Sequence, residues 1–375
     1  MKTAEIAASL SASRSLAATA SAGAAAATRF WVVMGAAWFA LFLYCMLAWV
    51  LGPDFVPVTF GRDKAPADYV RFIRLMEVLM VALTAWLLYK FVIKSLLRDR
   101  KLSFDGMFFL ACFTLVLQEP WHAWIRPQLL YNDIFLNFGS WMGYLPVSSP
   151  VAYKTPLPIA FAGLGYFWIV AGPAYCGSRL MNWGRVRNPG ISPLGLVGYC
   201  FLGFCLFDLI IETFIVRTGM FIYPSTIPEL TLFAGKPYQF PLYETVSWAG
   251  TYTALACVHF FRNDRGETWA DRDFDRLTIP TPIRKLTRWL AIAGLCQVAM
   301  LLAYNIPYMF WALHGGPFTV TEQSHPWLTA GLCGPSTAYD CPGPGVPFPR
   351  RDSPTNRMAI PLPASTTPVG ATTSK

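Results

Sequence analysis

The sequence predicts an all-α, polytopic membrane bundle of about seven transmembrane helices, its N-terminus cytoplasmic and its C-terminus outside. Three observations predict it. Of 375 residues, 54% are hydrophobic and only 14% charged, where a soluble domain carries about 25% charged residues. Long apolar runs recur along the chain, several of them long enough to cross a hydrocarbon core about 30 Å thick. Lys and Arg gather in alternate loops between the runs, which is the pattern of the positive-inside rule.

Residues 1–28 are Ala/Ser-rich with little charge and read as a disordered tail. Their small residues precede the first apolar run instead of following it, which favours a retained helix over a cleaved signal peptide. The membrane domain then covers 29–313, with runs at Phe30–Leu51, Phe72–Ile93, Phe104–Leu117, Pro156–Tyr175, Ile191–Phe214, Tyr243–Phe261 and Trp289–Leu313. The third run is short and must borrow residues from Gln118 to Trp124. The sixth carries Ser, Thr and Tyr on several turns, as a helix facing the bundle interior or a cavity would. Long loops at 118–155 and 215–242 lie on the outer side, and 314–375 form a Pro/Gly-rich extracytoplasmic tail.

Loop charges set this orientation. Lys90, Lys94, Arg98, Arg100 and Lys101 follow the second run, and Arg179, Arg185 and Arg187 follow the fourth. Arg262, Arg265, Arg272, Arg276, Arg284, Lys285 and Arg288 follow the sixth. These three loops are expected in the cytoplasm of a multi-pass protein of the cell membrane. The +9 net charge is thus topological and points to anionic lipid, with no arginine-rich motif or zinc-finger spacing that would suggest nucleic acid. Of nine cysteines, most lie in or beside apolar runs as small hydrophobes. Cys333 and Cys341 stand apart in the outer tail and are a disulfide candidate, which requires the oxidising side.

Asp208 and Glu212 lie four residues apart in the fifth run, so both share one helix face. An acid at the centre of a spanning helix costs about 2.5–3.5 kcal/mol, which makes the pair a functional hypothesis by default. The bland alternative places them in the headgroup zone or pairs them with Arg217 or Arg126. At about 1.5 Å of rise per residue, Glu77, Glu119 and Glu244 fall in the same outer leaflet as this pair. Carboxyls close together in an apolar setting can share a proton, so that one serves as acid and another as base. The outer loops add Asn132, Asn137, Trp141, Tyr238 and Gln239, too apolar and aromatic a company for solvated linkers; they read as a lid over the outer mouth, although single aromatics also suit an interfacial belt. Tyr304 and Asn305 lie in the outer half of the seventh run.

Other chemistries fit less well. Glu119-x-x-His122 is half of a carboxylate di-iron motif, but its second half is missing and four histidines cannot build a histidine-rich cluster, so no metal is expected. G-x-S-x-G, H-E-x-x-H and Walker A motifs are absent. The seventh run has no lysine for a retinal Schiff base. A proton-coupled transporter would want polar groups through the whole membrane thickness, and a design from two repeated halves is not visible.

Gln118-Glu119-Pro120 with Tyr131-Asn132 and Asn137-Phe138-Gly139-Ser140-Trp141, then Asp208-x-x-x-Glu212, then Leu232-Phe-Ala-Gly235 with Tyr238-Gln-Phe-Pro-Leu-Tyr-Glu244, resemble the AveC-type spirocyclase family. The resemblance spans roughly Phe30 to Leu313 and implies a membrane-bound cyclase that closes a dihydroxy-ketone to a spiroketal, with dehydration in some cases. It assigns no residue role. The residues themselves suggest Asp208 and Glu212 as acid and base, with Glu119 and Glu244 as partners. Asn132, Asn137, Trp141, Tyr238, Gln239, Arg217, Tyr304 and Asn305 would bind a lipophilic substrate, and the chemistry requires no cofactor. Alternatives are another lipid- or isoprenoid-modifying enzyme, a proton-coupled transporter, and a binding or assembly protein without turnover.

Overall fold

The computed structural model describes residues 2–123, 128–145, 155–272, 274–316, 319, 325–329 and 331–332, with the backbone alone for 2–25, 122–123 and 276. Helices α1 (Lys2–Leu51) and α2 (Ala67–Leu88) come first; α2 runs on through a π turn (Tyr89–Ile93) into α3 (Lys94–Asp99). Arg100, in the left-handed region at φ 51°, ends α3. Next come α4 (Phe104–Phe113), α5 (Gly172–Arg187), α6 (Pro193–Arg217), α7 (Leu242–Phe260), α8 (Thr281–Met300) and α9 (Ile306–Ala312). Ser103 and Ser192 cap α4 and α6, their hydroxyls accepting from Gly106 N at 3.1 Å and Gly195 N at 3.0 Å.

Among the described residues, four helical stretches are long and apolar enough to cross a membrane: Ala26–Leu51, Ala67–Asp99, Pro193–Arg217 and Thr281–Ala312. Their outward faces are apolar and exposed, as at Leu75, Val78, Leu202, Leu206 and Ile210. On a soluble surface so large an apolar patch would be a liability; lipid is its natural solvent. Of the other three apolar runs, two take less regular forms and the third is an interior helix. α4 gives way at Thr114 to a 3₁₀ stretch ending at Ala123 and containing Pro120, whose ring removes a backbone donor. The 156–175 run is broken into π turns at Ile159–Gly163 and Phe167–Ala171 before α5 begins. α7 is buried on nearly every side, Thr251, Thr253 and Ser247 included, in keeping with the interior place that its polar residues suggest.

Two further features depart from the sequence expectations. α1 runs back to Lys2 through the Ala/Ser-rich stretch expected to lack structure; alanine has the highest intrinsic helix propensity. The 118–155 and 215–242 loops also carry two short antiparallel ribbons, β1 (Leu130–Tyr131) with β2 (Phe221–Ile222), and β3 (Thr231–Leu232) with β4 (Phe240–Pro241). Cys333 and Cys341 lie outside the described residues, as does Arg126.

α1 lies along α8, α7 packs between α5 and α6, and α4 packs on α8. α1 and α8 touch through glycines: a β-carbon on Gly35 would sit 1.8 Å from the Leu290 carbonyl oxygen, and one on Gly294 would sit 2.7 Å from Gly35 N. Small residues at such a crossing let backbones approach where lipid supplies no hydrophobic drive for helix association. The bundle has two ends of different character. The C-terminal half of α6 and the N-terminal turn of α7 meet beneath the β1–β2 ribbon. At the opposite end, His259 of α7 reaches Asp105 of α4, beside Arg262.

Candidate active site

α6 is apolar apart from Asp208, Glu212 and its last residue, Arg217. Its twist turns the two acids inward, 2% and 8% exposed, while their neighbours Phe207 and Ile211 stay about 40% exposed on the outer face (42% and 40%). Glu244, fully buried, comes from the first turn of α7, and Glu119 from the 3₁₀ stretch after α4. The four carboxyls lie near enough to interact: Glu212 feels Asp208, Glu244 and Glu119.

Asp208, Glu212 and Glu119 line one cavity, which with its mouth encloses about 650 Å³. Its walls are the rings of Phe161, Trp168, Phe221, Trp248 and Tyr252, with Tyr131 and Tyr304 adding phenols. Three of these residues sit in π turns: Phe161 in Ile159–Gly163, Trp168 in Phe167–Ala171 and Tyr304 in Leu301–Asn305. A π turn inserts an extra residue into the helix and re-aims the side chains around it, and such turns recur at functional sites. The mouth opens sideways between α6 and the 159–173 segment, where Phe207 and Ile211 are exposed and Trp168, Ile169 and Pro173 half-buried.

Tyrosines orient the carboxylates. Glu119 accepts from the Tyr131 hydroxyl and, at 2.5 Å, from that of Tyr166. Glu212 accepts from Tyr223. Glu244 Oε1 accepts from Tyr304 at 2.9 Å, with Tyr308 close by. Two buried carboxyl oxygens, Asp208 Oδ2 and Glu244 Oε2, have no hydrogen-bond partner among the described residues; of the two residues, Asp208 lines the cavity, with the Thr245 hydroxyl beside it. A buried polar atom left without a partner costs about 1–3 kcal/mol, so such an atom facing a cavity is poised to meet a bound molecule. Among the described residues no three His, Cys, Asp or Glu side chains converge closely enough to hold a metal ion.

The other predicted residues fall into different settings. Asn305 ends a buried chain of amides: its Nδ2 donates to Gln118 Oε1 at 2.8 Å, Gln118 Nε2 to Gln297 Oε1 at 2.6 Å, and Gln297 Nε2 to the Thr114 hydroxyl at 3.0 Å. Asn132 and Asn137 hold loop backbone. Asn132 donates to Tyr69 Oη at 2.7 Å and the Gly219 carbonyl at 2.9 Å; Asn137 accepts from Val58 N at 3.0 Å and donates to the Phe135 carbonyl at 3.0 Å. Trp141 donates to the Leu117 carbonyl at 3.1 Å. Gln239 bridges the Tyr223 carbonyl at 2.8 Å and Gly235 N at 3.0 Å. Arg217 and Tyr238 line a second cavity and not the carboxyl-lined one. Glu77, matched by depth to the acids, instead pairs with Arg74 and accepts from Leu136 N at 2.5 Å, anchoring the 130s loop to α2. Depth fixes height along the bundle but not the direction a side chain faces.

Sequence reasoning overlooked Tyr166, Tyr252 and Trp248. For two of them a signal existed: Trp248 and Tyr252 follow Glu244 at i+4 and i+8, on one helix face. Tyr166 had none, because the π turns on either side of it break the periodicity that would have placed it.

A model of the Spirocyclase AveC-like family matches residues 99–327, more than half of the chain and a range that includes all four cavity-end carboxyls. No curated protein and no solved structure matches the chain.

Proposed function

Because the chain belongs to the Spirocyclase AveC-like family, we propose that it is a multi-pass cyclase of the cell membrane that closes a lipophilic dihydroxy-ketone to a spiroketal by carboxyl acid–base chemistry. The observation that carries this reading is the Asp208 carboxyl, its Oδ2 without a hydrogen bond among the described residues, on the wall of an aromatic, acid-lined cavity. One hydroxyl of the substrate adds to its ketone and gives a hemiketal. Asp208 protonates the hemiketal hydroxyl, water leaves, and an oxocarbenium ion forms. The carboxylate so produced faces that cation and then takes the proton of the second hydroxyl as it closes the other ring, which restores the acid. The electron-rich faces of Trp248 and Tyr252 add stabilisation to the cation.

The remaining acids act on the charge and orientation of the site. Tyr223 holds Glu212, and Tyr131 with Tyr166 holds Glu119, so both carboxyls keep their orientation along the cavity wall. Each step moves only protons and water, and none calls for a redox or metal cofactor. The side mouth suits a substrate that arrives dissolved in the bilayer, and the closely packed rings restrict its folded shape, hence the stereochemistry of the product. The loop charges support seven crossings with the N-terminus inside. Cysteines introduced singly into the 188–192 and 233–237 loops and probed with an impermeant thiol reagent test that orientation, with only the second expected to label from outside.

The chemistry is tested by incubating the protein, purified into lipid nanodiscs, with lipophilic dihydroxy-ketones and separating products by chiral chromatography with mass detection. Spiroketal formation at a single stereocentre, lost in Asp208→Asn and sharply reduced in Glu212→Gln, is the expected result. Full activity in both variants rejects the assignment.

A further inference from the structure

A second cavity lies beyond the first, at the C-terminal end of α6, and shares a wall with it. Ile215 and Phe221 line the first cavity, while their chain neighbours Val216 and Ile222 line the second. This cavity encloses about 620 Å³ with its mouth, and Arg217 is the charged group on its wall. The Arg217 guanidinium lies over two rings, 4.5 Å from the centroid of Phe233 and 4.8 Å from that of Tyr238. Among the described residues it makes no ion pair or hydrogen bond. Arg217 is exposed, and the stacking holds its guanidinium plane while its N–H edge stays open to solvent or to a bound oxyanion.

The clamp is built at a cost. Phe233 adopts φ 56°, one of two non-glycine residues with positive φ among those described, the other being a helix terminus. A bulky side chain is disfavoured in that region, and the β3–β4 ribbon holds it there, with Tyr238 at the other end of the same loop. His325 faces the same cavity with its Nδ1 buried and unpartnered. The remaining walls are largely apolar: Pro66, Val216, Ile222, Pro237, Trp327 and Leu328.

We propose that this cavity binds an amphiphile carrying an oxyanion head, with Arg217 pairing the head through its planar edge, His325 contributing a second nitrogen, and the apolar walls taking the first part of the chain. A planar, preorganised guanidinium recognises carboxylate or phosphate oxygens through two parallel N–H bonds. The head can belong to a free carboxylate amphiphile or to an anionic lipid. This site goes beyond the cyclisation reading and does not depend on it.

The experiment measures binding without turnover. The full chain in nanodiscs of phosphatidylcholine is titrated with decanoate and with decanol by native mass spectrometry. Decanoate is expected to bind at least tenfold tighter than decanol, and Arg217→Gln to remove that preference. Arg217→Lys, which keeps the charge but not the fork, is expected to retain only part of it. Repeating the titration in nanodiscs containing phosphatidylglycerol identifies the source: loss of decanoate binding assigns the site to lipid headgroups, and unchanged binding assigns it to a free carboxylate amphiphile. Should Arg217→Gln fail to insert, Tyr238→Leu opens one side of the clamp while keeping the charge and is expected to weaken decanoate several-fold. Equal binding of decanoate and decanol, or a preference unchanged in the Arg217 and Tyr238 variants, overturns the proposal.

Discussion

The two ends of the bundle give their acids different partners. Where α6 ends and α7 begins, the carboxyls meet phenols: Tyr223 for Glu212 and Tyr304 for Glu244, with Asp208 left unpartnered at Oδ2. None of these three has a cation within ion-pairing distance among the described residues. At the other end the acids meet basic side chains. Asp271, fully buried, pairs with Arg288 at 2.6 Å, Asp275 pairs with Arg284 at 2.5 Å, and Asp105 faces His259 at 3.0 Å. These three acids are held by basic side chains, while buried Glu267 nearby takes the Asn263 amide at 2.7 Å. A phenol orients a carboxyl without locking it into an ion pair, and so leaves it able to take and return a proton.

The largest expected effect breaks this contrast at Asp208. Asp208→Asn removes the exchangeable proton and keeps the volume, so turnover is expected to fall by about 10²–10⁴-fold, the usual worth of general acid–base catalysis. Thermal unfolding of the same preparation should be unchanged or slightly raised, because the amide is easier to bury. The mirror experiment lies at the other end. Arg288→Ala leaves Asp271 buried without its cation and is expected to cost about 3 kcal/mol of stability, read by thermal or detergent-induced unfolding, while turnover per folded molecule stays the same.

Asp133, in the 118–155 loop, offers an intermediate case and a pH handle. Burial pushes its carboxyl up to about 6, opposed by the Gly61 N–H and by Arg62. The folded state therefore binds a proton more tightly than the unfolded chain. Its contribution to stability is fully present below about pH 4 and declines as pH rises through about 6. Asp133→Asn, whose side-chain carbonyl still accepts from Gly61 N, should flatten the stability profile between about pH 4 and 6 and raise stability at neutral pH by about 2 kcal/mol. A profile that keeps the same slope in the variant rules out Asp133 as its source. The smallest effect sharpens the role of the phenols. Tyr223→Phe deletes one donor to Glu212, worth about 1 kcal/mol, so kcat should drop several-fold with KM little changed. A rise in KM alone would make Tyr223 a substrate contact instead.

Much of this molecule is legible in its sequence. The apolar length of the α1, α2, α6 and α8–α9 stretches announces helices that can cross a membrane, and the i, i+4 spacing of Asp208 and Glu212 sets both on one face. The family match agrees with the long outer-loop motifs that suggested it. Other parts were hidden for identifiable reasons. The π turns at 159–163, 167–171 and 301–305 leave no mark in a hydropathy pattern, yet they aim Phe161, Trp168 and Tyr304 at the cavity. Asn132, Asn137, Trp141 and Gln239, which their place in apolar loops marks as candidate ligand contacts, also meet the backbone's own need for hydrogen bonds, which any buried loop must satisfy and which the pattern cannot tell from a ligand's.

The sequence by itself determined that the chain favours helices in lipid and that two acids share one face of an apolar helix, because both follow from local periodicity and transfer energy. Only the tertiary structure decided which acids meet, which phenols hold them and which carboxyl is left without a partner. Hydrogen bonds between residues distant in the chain depend on the direction each side chain faces once the helices have packed, and local pattern does not carry that direction.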